Sequence, residues 1–126
     1  MRKILLSIVF GCVSLFGVEW VSYEMALELQ KQSFKPIMVE VVRSDCRYCI
    51  AMQRDVFEDE AMSKWIAERF IAVKINLDTE KSPLDVTVTM TPSFYFIGKD
   101  RTILKSIPGS WSISDFKDLT KNIKGQ

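Results

Sequence analysis

The sequence predicts an α/β fold, and three observations carry that prediction. Helical and strand-like patterns alternate along the chain, with no repeat and no low-complexity tract. Ile37-Met38-Val39-Glu40-Val41-Val42 is a nearly unbroken apolar, β-branched run, the pattern of a strand buried on both faces in a partly parallel sheet. Two later strand-like runs flank Gly98-Lys99-Asp100, a turn composition that folds them into an antiparallel hairpin. A chain of 126 residues holds one such domain with little to spare.

The elements follow in order. Residues 1–17 read as a leader rather than as part of the domain. Arg2 and Lys3 precede the apolar run Ile4-Leu5-Leu6-Ser7-Ile8-Val9-Phe10, which Val13, Leu15 and Phe16 continue before the small residues Ser14 and Gly17. That is the order of a secretory signal peptide, and it is short for a membrane span of ~20 apolar residues. Cleavage falls near Gly17 or Val18. A lipoprotein signal ending at Cys12, after Gly11, is the alternative, and both forms export the domain formed by residues 18–126.

Ser22 caps a helix running to about Gln32, with Met25, Ala26 and Leu29 on its inner face. Pro36 opens the buried strand Ile37 to Val42. After the turn Arg43-Ser44-Asp45, a helix starts at Cys46 and runs towards Phe57, turning Met52 and Val56 inward. Asp59 caps a further helix through Arg69, carrying Met62, Ile66 and Trp65. Phe70 to Leu77 forms a strand with Ile71, Val73, Ile75 and Leu77 on one face. Pro83 interrupts the stretch from Thr79 to Met90, in which Val86-Thr87-Val88-Thr89 has strand composition. Phe94 to Ile97 and Thr102 to Ile107 make the hairpin, which Gly109 ends. Ser112 and Asp115 form a capping box before a last helix through about Lys124, with Ile113, Phe116, Leu119 and Ile123 inward.

Composition narrows the chemistry. The chain is 48% hydrophobic and 26% charged, ordinary for a folded protein. Its 17 basic and 16 acidic residues form no basic cluster, so nucleic acid is not among the expected partners. It contains no histidine, which removes the commonest general base and the commonest transition-metal ligand. Chemistry is left to cysteine, carboxylates, lysine and backbone.

Cys46-Arg47-Tyr48-Cys49 is the strongest signal. It follows a buried strand and opens a helix, whose free N–H groups and partial positive charge favour a thiolate at the first cysteine. Arg47 adds positive charge. Two intervening residues let the second thiol reach back to the first and resolve a mixed disulfide. A zinc site requires four ligands, and without histidine or a third cysteine in the domain only a second copy or carboxylates would complete it. A structural disulfide over so short a loop constrains little of the unfolded chain. A redox role is the favoured reading.

With those residues in view, the sequence resembles the thioredoxin superfamily over roughly residues 20–124, and especially its small exported bacterial members. The redox pair follows the central strand, Thr91-Pro92 lies just before a later strand, Gly109 follows the hairpin, and Lys74-Ile75-Asn76-Leu77-Asp78 is similar to a strand end of the family. The resemblance implies a thioredoxin fold: a central mixed sheet flanked by helices, with a C-terminal β-hairpin and helix. It implies that Cys46 is the nucleophile and Cys49 the resolving cysteine. Glu40 would be a buried acid, expensive to ionise, that exchanges a proton with Cys49. The competing possibility is a glutamate at a strand edge reaching solvent. Lys74 would sit on a neighbouring strand and tune Glu40, or else be an ordinary surface lysine. Thr91 would precede a cis-Pro92 and pair with a substrate strand. Tyr48 and Trp111 would form an apolar rim for substrate, whereas Trp20 and Trp65 read as packing residues. Asp45 before the pair and Arg47-Tyr48 within it depart from cytosolic thioredoxin and fit the exported relatives better.

The function expected is therefore that of a periplasmic thiol–disulfide oxidoreductase, with no metal or organic cofactor, acting as a monomer on protein thiols and disulfides. Asp45 opposes Arg47 and the helix end in setting the stability of the thiolate, so these residues leave the direction open. Reduction is favoured because the sequence has neither the inserted helical domain of the family's periplasmic oxidases nor the dimerisation domain of its isomerases; a membrane electron-donor protein would then feed it. Lipidation at Cys12 is the one route to membrane attachment. The rivals are a non-catalytic binding or assembly module and a Cu(I)-handling protein using both thiolates.

Overall fold

In a computed structural model that describes residues 17–125, each α-helix begins where a side chain accepts a backbone N–H. The leader reading, Cys12 included, lies outside the described residues apart from Gly17. The elements are β1 (Trp20–Val21), α1 (Tyr23–Ser33), β2 (Ile37–Val42), α2 (Arg47–Met52), a π-helical turn (Gln53–Phe57), α3 (Glu60–Arg69), β3 (Ile71–Asn76), β4 (Ser93–Ile97), a 3-10 turn (Lys99–Arg101), β5 (Ile103–Pro108) and α4 (Ile113–Thr120). Ser22 caps α1 by accepting the Met25 N–H at 3.1 Å, Asp59 caps α3 through Met62 at 2.8 Å, and Ser112 caps α4 through Asp115 at 3.1 Å. Each cap contributes about 1 kcal/mol. No helix among the described residues is long and apolar enough to cross a membrane.

The five strands order as β1-β3-β2-β4-β5. β2 pairs parallel to β3, which pairs parallel to β1, while the β4–β5 hairpin adds antiparallel to the other side of β2. Every residue of β2 is buried, as a central strand requires. Alternate residues of β2 divide between two cores. Ile37, Val39 and Val41 face α1, packing with Tyr23, Ala26 and Val73. Met38 faces the other way into the larger core of Met52, Phe57, Phe94 and Phe116. Phe57 stacks edge-on to both Trp20 and Phe116, tying β1, the π-turn and α4 together. Each such fully buried side chain is worth roughly 1.5–3 kcal/mol.

Four expectations are corrected. Met25 and Leu29 are exposed; the inner face of α1 is instead Tyr23 and Ala26, with Leu27 half-buried. Gln30 completes that face because its amide donates to the carbonyls of Lys35 and Ile97. Val86 to Thr89 joins no strand: Leu84, Val86 and Val88 lie against the α1-side core while the residues between them face outward. The period of two survives without a ladder, outside a sheet whose edges are β1 and β5. The helix through Phe57 changes to a π-turn after Met52, closed by the Glu58 N–H on the Gln53 carbonyl at 3.0 Å. Finally α4 stops at Thr120, four residues short of Lys124, although Ile123 still packs against the core.

Candidate active site

The end of β2 and the start of α2 place the cysteines. Cys46 is the N-cap of α2, with an extended backbone, and its sulfur accepts the Cys49 N–H at 3.2 Å. A sulfur in that position receives the free N–H groups of the first helical turn. Cys46 and Cys49 are joined in a disulfide and both are largely buried, packed with Val42. Arg47 and Tyr48, which separate them, are exposed, Tyr48 to 64%.

Across from the pair, the Thr91–Pro92 peptide is cis. It turns both oxygens of Thr91 towards Cys46: the carbonyl lies 3.4 Å and the hydroxyl 3.3 Å from its sulfur. Pro92 accepts the Gly109 N–H at 2.8 Å, so the end of the hairpin buttresses this loop. Gly109 has φ of 90°, a conformation that favours glycine. Its neighbour Trp111 donates its indole N–H to Pro108 and packs half-buried on the larger core. Met90, 52% exposed, adds apolar surface beside Thr91.

On the other side of the pair lies a buried acid. Glu40 is completely enclosed on the same face of β2 as Met38 and Val42, so it sits beneath the helix that carries the cysteines. Neither carboxylate oxygen has a hydrogen-bond partner. Register pairs Glu40 with Lys74 on β3 and with Phe94 on β4. The Lys74 ammonium is 3.6 Å from Glu40 Oε1, an ion-pair contact longer than a hydrogen bond. Burial pushes the Glu40 carboxyl up to about 7, and Lys74 offsets only part of that rise. A group poised there gives and takes a proton in the neutral range.

Cys46, Cys49, Glu40, Lys74, Thr91 and Pro92 are thus gathered at one end of β2, while Trp20 and Trp65 pack against aromatic neighbours. Two residues at this end escaped the sequence reading. Met90 sat in the stretch with no clear pattern. Gln53, whose side-chain oxygen accepts from Lys74 at 2.6 Å, was legible only through its spacing: it stands four residues after Cys49, one helical turn on. Among the described residues no group of three or more His, Cys, Asp or Glu side chains converges as a metal site.

Known proteins resemble this chain in sequence and in fold. Residues 15–107 match the model of the Thioredox_DsbH family, described as a protein of unknown function, DUF255. Anterior gradient protein 2-B of Xenopus laevis is 28% identical over 97 residues, 76% of this chain and 58% of that protein. Human spermatogenesis-associated protein 20 is 31% identical over 75 residues, which is 59% of this chain but 9% of that protein. The chain therefore spans little more than half the length of the anterior gradient proteins it matches. Among solved structures, a thioredoxin from Thermus thermophilus superposes with a TM-score of 0.70 at 23% identity, over 83% of this chain and 85% of that one. A DsbH oxidoreductase gives 0.66 at 23% identity, covering 85% and 87%. The oxidised C-terminal domain of DsbD from Neisseria meningitidis gives 0.60 at 14%, covering 82% and 97%. These likenesses show the thioredoxin fold.

Proposed function

The chain belongs to the Thioredox_DsbH family, and from that premise we propose that it is an exported, periplasmic thiol–disulfide oxidoreductase working as a disulfide reductase. Membership of a thioredoxin-fold family and a disulfide-bonded Cys-x-x-Cys pair support thiol–disulfide oxidoreductase activity. The observation that carries the proposal is the seat of Cys46. Its sulfur occupies the N-cap of α2, accepts the Cys49 N–H, and faces both oxygens of Thr91.

The reaction starts from the reduced pair. The Cys46 thiolate attacks one sulfur of a substrate disulfide, forming a mixed disulfide and expelling the other substrate sulfur as a thiolate. Cys49 then loses its proton and attacks Cys46 Sγ. The second substrate sulfur leaves, and the Cys46–Cys49 disulfide remains, two electrons having passed to the substrate. Glu40 accepts the Cys49 proton in that step, with Lys74 as its charged neighbour. The Thr91–Pro92 edge and the exposed Tyr48 and Met90 offer a substrate backbone and apolar side chains a place to lie, with Trp111 behind them. Protein disulfides are the substrate class, and a membrane protein returns electrons to the pair. The DsbH and DsbD neighbours and the leader-like first residues support the exported setting.

Equilibrium titration of the pair against glutathione or dithiothreitol tests this. A potential near about −270 mV is the expected result, and one towards about −120 mV reverses the direction. A disulfide that resists reduction rejects the enzyme reading and leaves a binding module.

A further inference from the structure

Lys74 is held by more than its acidic partner. Its ammonium reaches the Gln53 side-chain oxygen at 2.6 Å, stands 3.6 Å from Glu40, and lies 4.4 Å above the ring centre of Trp20. The shortest contact is the neutral one. An ammonium beside a fully buried carboxylate with no other partner gains most by closing to hydrogen-bond distance. Here the separation is 3.6 Å, while the amide oxygen lies at 2.6 Å and the indole face at 4.4 Å.

Each anchor is fixed by the fold. Gln53 opens the π-turn, one helical turn beyond Cys49, and its N–H bonds to the carbonyls of Cys49 and Ile50. Trp20 is pinned by pairing with Ala72 and by its edge contact with Phe57. Helix irregularities of this π type recur at functional sites.

Resting on the reading of Glu40 as the proton acceptor for Cys49, we propose that Gln53 is a positioning residue for the resolving step. Its side-chain oxygen holds the Lys74 ammonium away from Glu40, so that the carboxyl keeps its affinity for the Cys49 proton. The groups around Glu40 leave few other controls. β3 contributes Lys74, β4 contributes Phe94 backed by Phe116 of α4, and α2 with its N-cap contributes the two cysteines. Among the described residues, the clefts that Lys74 lines carry further charged groups: Arg43, Arg54 and Glu58 in one, and Glu24, Glu80 and Lys81 in the other.

The arrangement makes an opposed pair of outcomes. Removing the amide with Gln53→Met frees Lys74 to close on Glu40, so the carboxyl ionises more readily. Removing the charge with Lys74→Met makes it ionise less readily. The experiment is carbon NMR titration of the Glu40 carboxyl in the oxidised full chain, assigned by its loss in Glu40→Gln. Gln53→Met should lower the midpoint by roughly one pH unit and Lys74→Met should raise it. Gln53→Glu, which keeps the acceptor, should not lower it. In the double variant the midpoint should match that of Lys74→Met alone.

An unmoved midpoint in Gln53→Met overturns the proposal, as does a rise, or a fall that persists without Lys74. Because the titration involves no thiol–disulfide exchange, this test stands apart from the role of Glu40. That role is read separately, from the decay of the Cys46–glutathione mixed disulfide across the neutral range. If the carboxyl moves as expected while that decay keeps its pH profile even in Glu40→Gln, the wiring of Gln53 to Lys74 is right and Glu40 is not the acceptor.

Discussion

Thr91 presents its hydroxyl to the sulfur of Cys46 at 3.3 Å, closer than its own carbonyl at 3.4 Å. In the disulfide that sulfur is an acceptor; in the reduced protein the same hydroxyl is placed to donate to a thiolate. A donor aimed at the thiolate stabilises the reduced state and makes the pair more oxidising.

Thr91→Val keeps the branched shape and removes the donor. A hydrogen bond of ordinary net worth, about 0.5–1.5 kcal/mol, converts to a fall in reduction potential of roughly 10–30 mV. Redox titration of the variant beside the parent reads the shift. A potential that stays put shows that the hydroxyl does not hold the thiolate.

Glu40 gives the protein a pH-dependent stability of unusual sign for a carboxylate. Its folded value of about 7 lies above the ordinary 4.5, so between those values the folded state holds a proton that the unfolded chain has released. The contribution is fully present below about 4.5 and is lost as the pH rises through about 7. Its size is on the order of 3 kcal/mol. Urea unfolding of the oxidised protein should show stability falling over that window, and Glu40→Gln should flatten the slope and be the more stable protein above it. A slope of the opposite sign would mean that Lys74 outweighs burial.

How much of this was readable beforehand depends on whether the signal is local. β2 was read to its residue bounds because six consecutive apolar or enclosed positions after a proline have few other uses. The caps at Ser22, Asp59 and Ser112 were read because each is a side chain answering a backbone three residues on. β1 was missed: two residues carry no period, and only pairing with Ala72 and Val73 makes them a strand. Val86 to Thr89 was over-read for the converse reason, since its alternation is real and a strand partner is not. In the site, the cysteine pair and Thr91-Pro92 were legible as motifs. The burial of Glu40 was not decidable from a strand whose faces look alike, and Gln53 matters through a contact 21 residues away.

Gly109 and Asp59 separate stability from redox function. At Gly109 φ is 90°, and an added Cβ meets only Met90 Sδ at 3.9 Å, an ordinary contact. Gly109→Ala therefore costs backbone conformation, about 1–2 kcal/mol, and loosens the buttress on Pro92. Asp59→Ala removes a helix cap, about 1 kcal/mol, far from the cysteines. Thermal unfolding should register both. Only the glycine variant should slow reduction of a disulfide substrate; an equal loss in Asp59→Ala would mean that the assay reads stability alone.

The division of labour between the cysteines follows from their places in one helical turn. Cys46 is the cap, with Thr91 oxygens against its sulfur, whereas Cys49 lies inside the turn, packed against Val42 on the face that covers Glu40. The first sulfur is the one a substrate strand along Thr91 can meet. Cys49→Ser should therefore accumulate a mixed disulfide when the reduced protein meets oxidised glutathione, visible as the added mass of one glutathione and removed by dithiothreitol. Cys46→Ser should show little such adduct and no turnover. If Cys46→Ser accumulates the adduct instead, Cys49 is the attacking sulfur, and Glu40 lies beneath the nucleophile rather than beneath the resolving thiol.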